Sequence, residues 1–255
     1  MAITFTYLGG PTGILEYAGL RFLIDPTFDE PRTYADPGST PLVKTHGPAF
    51  GVERLGRIDV VLASHHEHPD NLDLTGRSVA LSAPLVLSTP EAAADLGVPV
   101  MGLAPWQRHV VLDVTVTGMP ALHGPPGSEP FVGPVTGFLL EADGRPSVYV
   151  SGDNASLDHV AEIAARHAPV GIAVLFAGAA RVPAIDAPLT LTSADAVAAT
   201  RILGARQVVG VHCEDWEHFS ESRADLERAF AAEHLDDLLV ATPRGETVEL
   251  GADPA

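Results

Sequence analysis

Cysteine is almost missing from this chain. Cys213 stands alone in 255 residues, so no disulfide can form within it, and the composition suits a reducing, cytoplasmic setting. Basic residues are scarce: 15 Lys and Arg face 33 Asp and Glu, for a net charge of −18. Gripping a phosphate backbone takes a basic stripe, so nucleic acid is not an expected partner. No apolar run approaches the roughly 18 residues of a membrane span, and none is expected. The first residues lack a basic region followed by an apolar stretch, so no secretory signal is expected. A Gly-x-Ser-x-Gly elbow and a phosphate-binding glycine loop are both absent.

What is present supports a large core. The chain is 46% hydrophobic and 19% charged, consistent with one domain over residues 1–255. The acidic surplus is mostly a solvated surface. Residues 3–7 alternate as a half-buried strand does, and Thr12–Tyr17 and Leu20–Ile24 read as a hairpin turning at Ala18-Gly19. Residues 30–57 carry Pro and Gly without a period and read as a lid-like loop. Further strands are expected at Ile58–Ala63, Val79–Leu81, Leu85–Ser88, His109–Val116, Gly137–Glu141, Ser147–Val150, Val170–Phe176, Gln207–Val211, Leu238–Thr242 and Thr247–Leu250. Helices are expected after Thr89-Pro90, over Leu157–Ala165, after the capping-box pattern Thr192–Asp195, and over about 221–232. No short repeat is present. The order reads as α/β or α+β with mixed sheets.

The densest chemistry lies at Ala63–Asp73. Three imidazoles and three carboxylates fall between His65 and Asp73, directly after the apolar run Val60–Ala63. Neutral imidazole and carboxylate are ligands that suit zinc, iron or manganese. Other polar residues follow apolar strands at His123, Asp153 and His212. Each alone reads as an ordinary capped histidine or turn aspartate. Four such exits together point to one shared metal centre.

The order His66-x-His68-x-Asp70-Asn71, then His123, then Gly152-Asp153, then His212 resembles the metallo-β-lactamase fold of hydrolases. Its branch of ascorbate-phosphate lactonase-like proteins is the most similar. Leu23-Ile-Asp-Pro26 belongs to the same resemblance, which covers nearly the whole chain. It implies a four-layer αββα sandwich and a two-metal centre. His66, His68 and His123 would hold the first ion, Asp70 and His212 the second, with Asp153 bridging. Asn71 stands where the family's motif has a histidine. An amide is a poor substitute on zinc, so the second site is expected to be weaker, empty, or shifted toward Mn²⁺ or Mg²⁺. A second register, His65-x-x-His68, is open beside the preferred His66-x-His68.

The implied activity is metal-dependent hydrolysis. A metal-bound hydroxide would attack an ester, lactone, amide or phosphodiester, with one or two Zn²⁺ per chain, or Mn²⁺ or Fe instead. The partner is a small-molecule substrate. Asp70 is also a candidate for protonating the leaving group. Asp73 is a candidate for orienting a ligand histidine, and Trp216 and His218 for lining the cleft. Cys213 reads as a small buried thiol. Two rival readings stand: a metal-poor, non-catalytic binding or regulatory relative, and an iron-dependent oxidoreductase.

Overall fold

The computed structural model describes residues 2–35 and 40–251. Strand β1 (Ile3–Gly9) pairs antiparallel with β2 (Thr12–Tyr17), which turns into β3 (Leu20–Ile24). The turn puts Ala18 and Gly19 at φ 49° and 83°, the paired positive values that match the twist of a two-residue hairpin. The Pro- and Gly-rich segment that follows, of which residues 36–39 lie outside the described residues, carries the antiparallel pair β4 (Arg32–Tyr34) and β5 (Leu42–Lys44). The chain then runs through β6 (Val60–Leu62), α1 (Leu74–Ser82), β7 (Val86–Ser88), α2 (Pro90–Leu96) and β8 (Val100–Gly102).

The second half contributes β9 (Arg108–Val111), β10 (Val114–Pro120), the short α3 (Glu129–Val132), β11 (Thr136–Glu141) and β12 (Val148–Val150). Next come α4 (Leu157–His167), β13 (Ile172–Phe176), α5 (Ser193–Leu203), β14 (Gln207–Val211), α6 (Arg223–Ala232) and β15 (Thr247–Leu250). One sheet has the order β15-β1-β2-β3-β6-β7-β8 and the other β14-β13-β12-β11-β10-β9.

Alternation along the strands decides the layering, because successive side chains face opposite sides. Phe5, Tyr17, Phe22 and Leu62 from the first sheet meet Val116, Phe138, Val150 and Val174 from the second in a central apolar layer. The outer face of the first sheet, with Leu23 and Val61, packs under Ala80 of α1. Leu139, Tyr149 and Leu175 on the outer face of the second pack under Val160, Ala199 and Leu226 of α4, α5 and α6. The four layers run α, β, β, α, as the family resemblance implied.

Local signals account for the helix starts. Thr89 accepts from Ala92 N with Pro90 behind it, and Thr192 and Asp195 form a reciprocal capping box. Three expected strands differ. Val79–Leu81 lies in α1, which Asp73 caps; three apolar residues cannot distinguish strand from helix. His109–Val116 divides at Leu112, whose φ of 51° makes a tight turn between β9 and β10. Leu238–Thr242 is not a strand. A 3₁₀ turn at Asp236–Leu238 leads into it, and Val240 N donates to Val208 O. Among the described residues no helix is long and apolar enough to cross a membrane.

Candidate metal centre

Strands β3 and β6 run parallel in the first sheet, as do β12, β13 and β14 in the second. Strand β10 is antiparallel to β11, which is antiparallel to β12, so β10 points the same way as β12. The residues just past β3, β6, β10, β12 and β14 therefore gather at one edge. They are Asp25, Ser64 to Asn71, His123, Asp153 and His212. A link joins the sheets there: His212 N donates to Gly10 O at 2.7 Å.

The first cluster is His65, His68 and His123. His65 Nε2 and His123 Nε2 lie 2.9 and 3.3 Å from His68 Nδ1. Their outer nitrogens show which way the lone pairs face. His123 Nδ1 is 2.9 Å from Leu189 O; a carbonyl only accepts, so Nδ1 carries the proton and Nε2 a lone pair. Ser64 Oγ donates to Asp25 Oδ2 at 2.7 Å and so accepts from His65 Nδ1 at 2.9 Å. His65 Nε2 is then a lone pair as well. One proton on His68 can serve only one of the two contacts, and the other sets lone pair against lone pair. A cation is the group that relieves this.

Burial drives the same electrostatics. Desolvation, and then the neighbouring His68, push His123 down to about 3 and His65 well below the ordinary histidine value. Both are therefore neutral, the form that binds metal.

The preferred register of the sequence motif is not the one brought together. His66 turns away from this cluster toward Asp95 of α2, at 3.0 Å, and Glu67, at 3.2 Å. Its neighbour His65 is fully buried. The two adjacent side chains leave the chain in different directions, and only His65 enters the centre.

The second cluster is Asp70, Asp153 and His212. His212 Nε2 lies 3.3 Å from Asp70 Oδ2 and 3.6 Å from Asp153 Oδ1. The other Asp153 oxygen is 3.7 Å from His123 Nε2, so this carboxylate stands between the clusters. Burial raises both acids. At Asp70 the His218 and His212 imidazoles overcome it and hold the carboxyl well below its usual range. At Asp153 burial and then the Asp70 charge push it well up. Two buried carboxylates sharing a site resist ionising together, and a cation between them is what lets both do so.

Asn71 is held by carboxylates. Its Nδ2 donates to Asp25 Oδ2 at 2.9 Å and Asp153 Oδ1 at 3.0 Å. Asp70 Oδ1, Asn71 Oδ1, Asp153 Oδ2 and both His212 ring nitrogens are buried without hydrogen-bond partners. So many orphaned polar atoms at one point carry a large desolvation cost, and donors of this chemistry fit a divalent cation.

The sequence placed Asp25 at a strand exit within Leu23–Pro26 but assigned neither it nor Ser64 to the site. Ser64 N and Oγ both donate to the Asp25 carboxyl, at 2.6 and 2.7 Å, and Asp25 in turn steadies Asn71. Burial raises Asp25 to about 7, with Asn71 and Ser64 opposing it. The available signal was Asp25's own place at a strand exit. Asp73 does not orient a histidine. It caps α1 through Gly76 N at 2.7 Å and pairs with Lys44, because it already lies in the helix start. Trp216 lies buried beneath the β4–β5 pair, 5.5 Å from the Tyr34 ring, and not along the cleft. His218 does reach the cleft.

A cavity of ≈ 300 Å³ opens on His68, Asp70, His123 and His218. Leu42, Phe131, Val132, Val182, Ile185 and Leu189 form its apolar walls, and among the described residues no Lys or Arg lines it. A larger cavity of ≈ 1170 Å³, among Arg108, Glu141, Arg145 and Arg206, touches none of the clustered histidines. It takes no part in this chemistry.

A family model described as a beta-lactamase superfamily domain matches residues 20–213. A metal-dependent hydrolase of Pelotomaculum thermopropionicum is 26% identical over 261 aligned positions, covering 98% of this chain and 100% of that protein. Among solved structures, a possible metal-dependent hydrolase from Veillonella parvula superposes with a TM-score of 0.86 at 20% identity, covering 98% of this chain and 100% of the other. An isothiocyanate hydrolase from Delia radicum gut bacteria gives 0.84 at 22% identity, covering 98% and 99%. At these identities the two structures establish the fold.

Proposed function

The chain belongs to the beta-lactamase superfamily, and we propose that it is a metal-dependent hydrolase of a small, uncharged substrate. The observation that carries this reading is the convergence of His65, His68 and His123 on one point beside Asp70, Asp153 and His212. In this assignment the three histidines hold a first ion. Asp70 and His212 hold a second, and Asp153 lies between them. The imidazole-rich first set suits zinc. Divalent ions bound there supply an acidified water and positive charge against the oxyanion that develops on the substrate.

The residues of the chain do the rest. Leu189 O and Ser64 Oγ fix the ring orientation and tautomer of His123 and His65, as outer partners of metal ligands do. Asn71 pins Asp153 by hydrogen bond and keeps it turned toward both clusters. Asp70 faces His212 and His218, so we assign it as a ligand and not as the proton donor to the leaving group.

The apolar walls favour a neutral electrophile. A phosphodiester or carboxylate entering this cavity would have only the metal ions to pair with its charge, since Glu67 and no Arg or Lys stand among the described lining residues, and any anionic oxygen turned away from the ions would be buried without a partner. Its volume is at the small end of ligand pockets. Uncharged esters and lactones are therefore preferred over phosphodiesters.

Elemental analysis of the purified protein, with a hydrolysis panel, tests the reading. The panel holds an apolar lactone, a carboxylic ester, an isothiocyanate and a phosphodiester. We expect one to two ions per chain and turnover of neutral substrates that chelation abolishes. Protein that binds no added Zn²⁺ would overturn the metal assignment; a preference for the phosphodiester would overturn the substrate class.

A further inference from the structure

The second cluster has three close donors, and its neighbour Asn71 turns amide hydrogens toward the carboxylates. An amide nitrogen that donates in two directions has no lone pair to offer a cation, and the amide oxygen left over is a neutral donor, weaker toward zinc than the imidazole of the family's motif. A fourth group nevertheless arrives from elsewhere in the chain. His218 Nε2 lies 2.9 Å from Asp70 Oδ2, and His212 Nε2 lies 3.3 Å from the same oxygen. Donors bound to one ion at about 2.1 Å stand roughly 2.9 Å apart at right angles and roughly 3.4 Å apart at tetrahedral angles. The two imidazoles and Asp70 already have such spacing.

The position of His218 is built into the fold. Arg181 N donates to His218 O at 2.9 Å, and Ala180 forms a bridge with Phe219. One residue back from His218, Glu217 N donates to Val43 O of β5. The segment is thus held on both sides by main-chain bonds. The His218 ring packs against Phe219 at 4.6 Å, and Phe219 packs against the His212 ring at 4.2 Å. One aromatic side chain therefore braces both imidazoles. The His218 side chain is 11% exposed, and its Nδ1 is buried without a partner.

From this geometry we infer that His218 is a ligand of the second metal ion, supplying the imidazole that Asn71 cannot. The second site is then Asp70, Asp153, His212 and His218, a four-donor oxygen and nitrogen set of the kind zinc accepts. Asn71 becomes a positioning residue that holds Asp153 instead of binding metal. The inference rests on the two-metal reading above, and it reverses the expectation that Asn71 leaves the second site weak or empty.

The test is Zn²⁺ binding to chelator-treated protein, followed by competition titration and elemental analysis. Wild type should take up two ions per chain. His218→Ala, with unchanged circular dichroism, should keep the first and bind the second at least about tenfold more weakly. His218→Asp, which restores an oxygen donor, should recover part of that loss. Two ions bound with unchanged affinity in His218→Ala would overturn the inference and leave the metal reading intact. So would one ion in both proteins. No binding by wild type would instead remove the metal reading itself. Anomalous diffraction from the zinc-loaded wild type needs no variant: a second ion about 2.1 Å from His218 Nε2 is expected, and a second ion out of its reach would refute the assignment.

Discussion

Lys44 Nζ lies 2.9 Å from Asp73 Oδ2, with 2% and 0% of the two side chains exposed. Lys44 is the sole lysine of the chain, and it also lies 5.7 Å from the Trp216 ring centre. Asp73 at the same time caps α1 and accepts from Asp29 N at 2.7 Å. One buried carboxylate thus ties the β4–β5 hairpin to the helix that follows the histidine motif. Removing the cation alone would strand a buried charge. Lys44→Met should cost about 3 kcal/mol in chemical denaturation and speed amide exchange in the hairpin. A loss below about 1 kcal/mol would show that packing, and not the pair, holds the hairpin down.

The two histidine registers make opposite demands. His65→Ala should lose the first metal ion and all metal-dependent turnover, whereas His66→Ala should keep its metal content, since His66 faces Asp95 and Glu67. The reverse pattern in elemental analysis would restore the His66-x-His68 register.

Gly76 sits in the first turn of α1, where alanine would normally gain about 1 kcal/mol of helix propensity. A Cβ there would stand 1.7 Å from Pro26 O, a backbone atom that cannot swing aside. Gly76→Ala should therefore destabilise by about 2 kcal/mol or more, read from the denaturation midpoint. A stabilised variant would mean that α1 is free to shift away from Pro26.

Asp29 carries a pH signature. Burial works to raise its pKa, but Thr75 Oγ1 at 2.5 Å, Tyr34 OH at 2.8 Å and Thr75 N at 3.0 Å bring it below the usual 3.8. A carboxyl depressed in the folded state adds stability that is fully present above 3.8 and fades as pH falls through the lower folded value. The stability gap between wild type and Asp29→Asn should accordingly be flat above pH of about 5 and close below about 4. A gap that stays constant down to acid unfolding would assign the effect to shape alone.

The cavity wall can be separated from the metal centre. Ile185→Ala should raise KM for an apolar ester roughly tenfold while metal content stays at the wild-type level. An unchanged KM would place substrate contact elsewhere on the wall.

Much of this protein could be read directly from its residues. Alternation along β1, the hairpin turn at Ala18-Gly19, the capping residues Thr89 and Thr192, and the apolar run Val170–Phe176 are local signals, and the elements formed where those signals lay. The four strand exits carrying His65 to Asn71, His123, Asp153 and His212 were legible for the same reason, since each is a short polar stretch after an apolar one. Tertiary structure alone decided which of His65 and His66 turns inward, because that depends on how β6 meets its neighbours and not on adjacent identities. It alone brought Asp25 beneath Ser64 and paired Lys44 with Asp73, 29 residues away. It also set His218 against Asp70 across 148 residues of chain. Contacts so distant in sequence leave no periodic trace; they arise when two sheets close on a shared core and force their parallel strand ends to one edge.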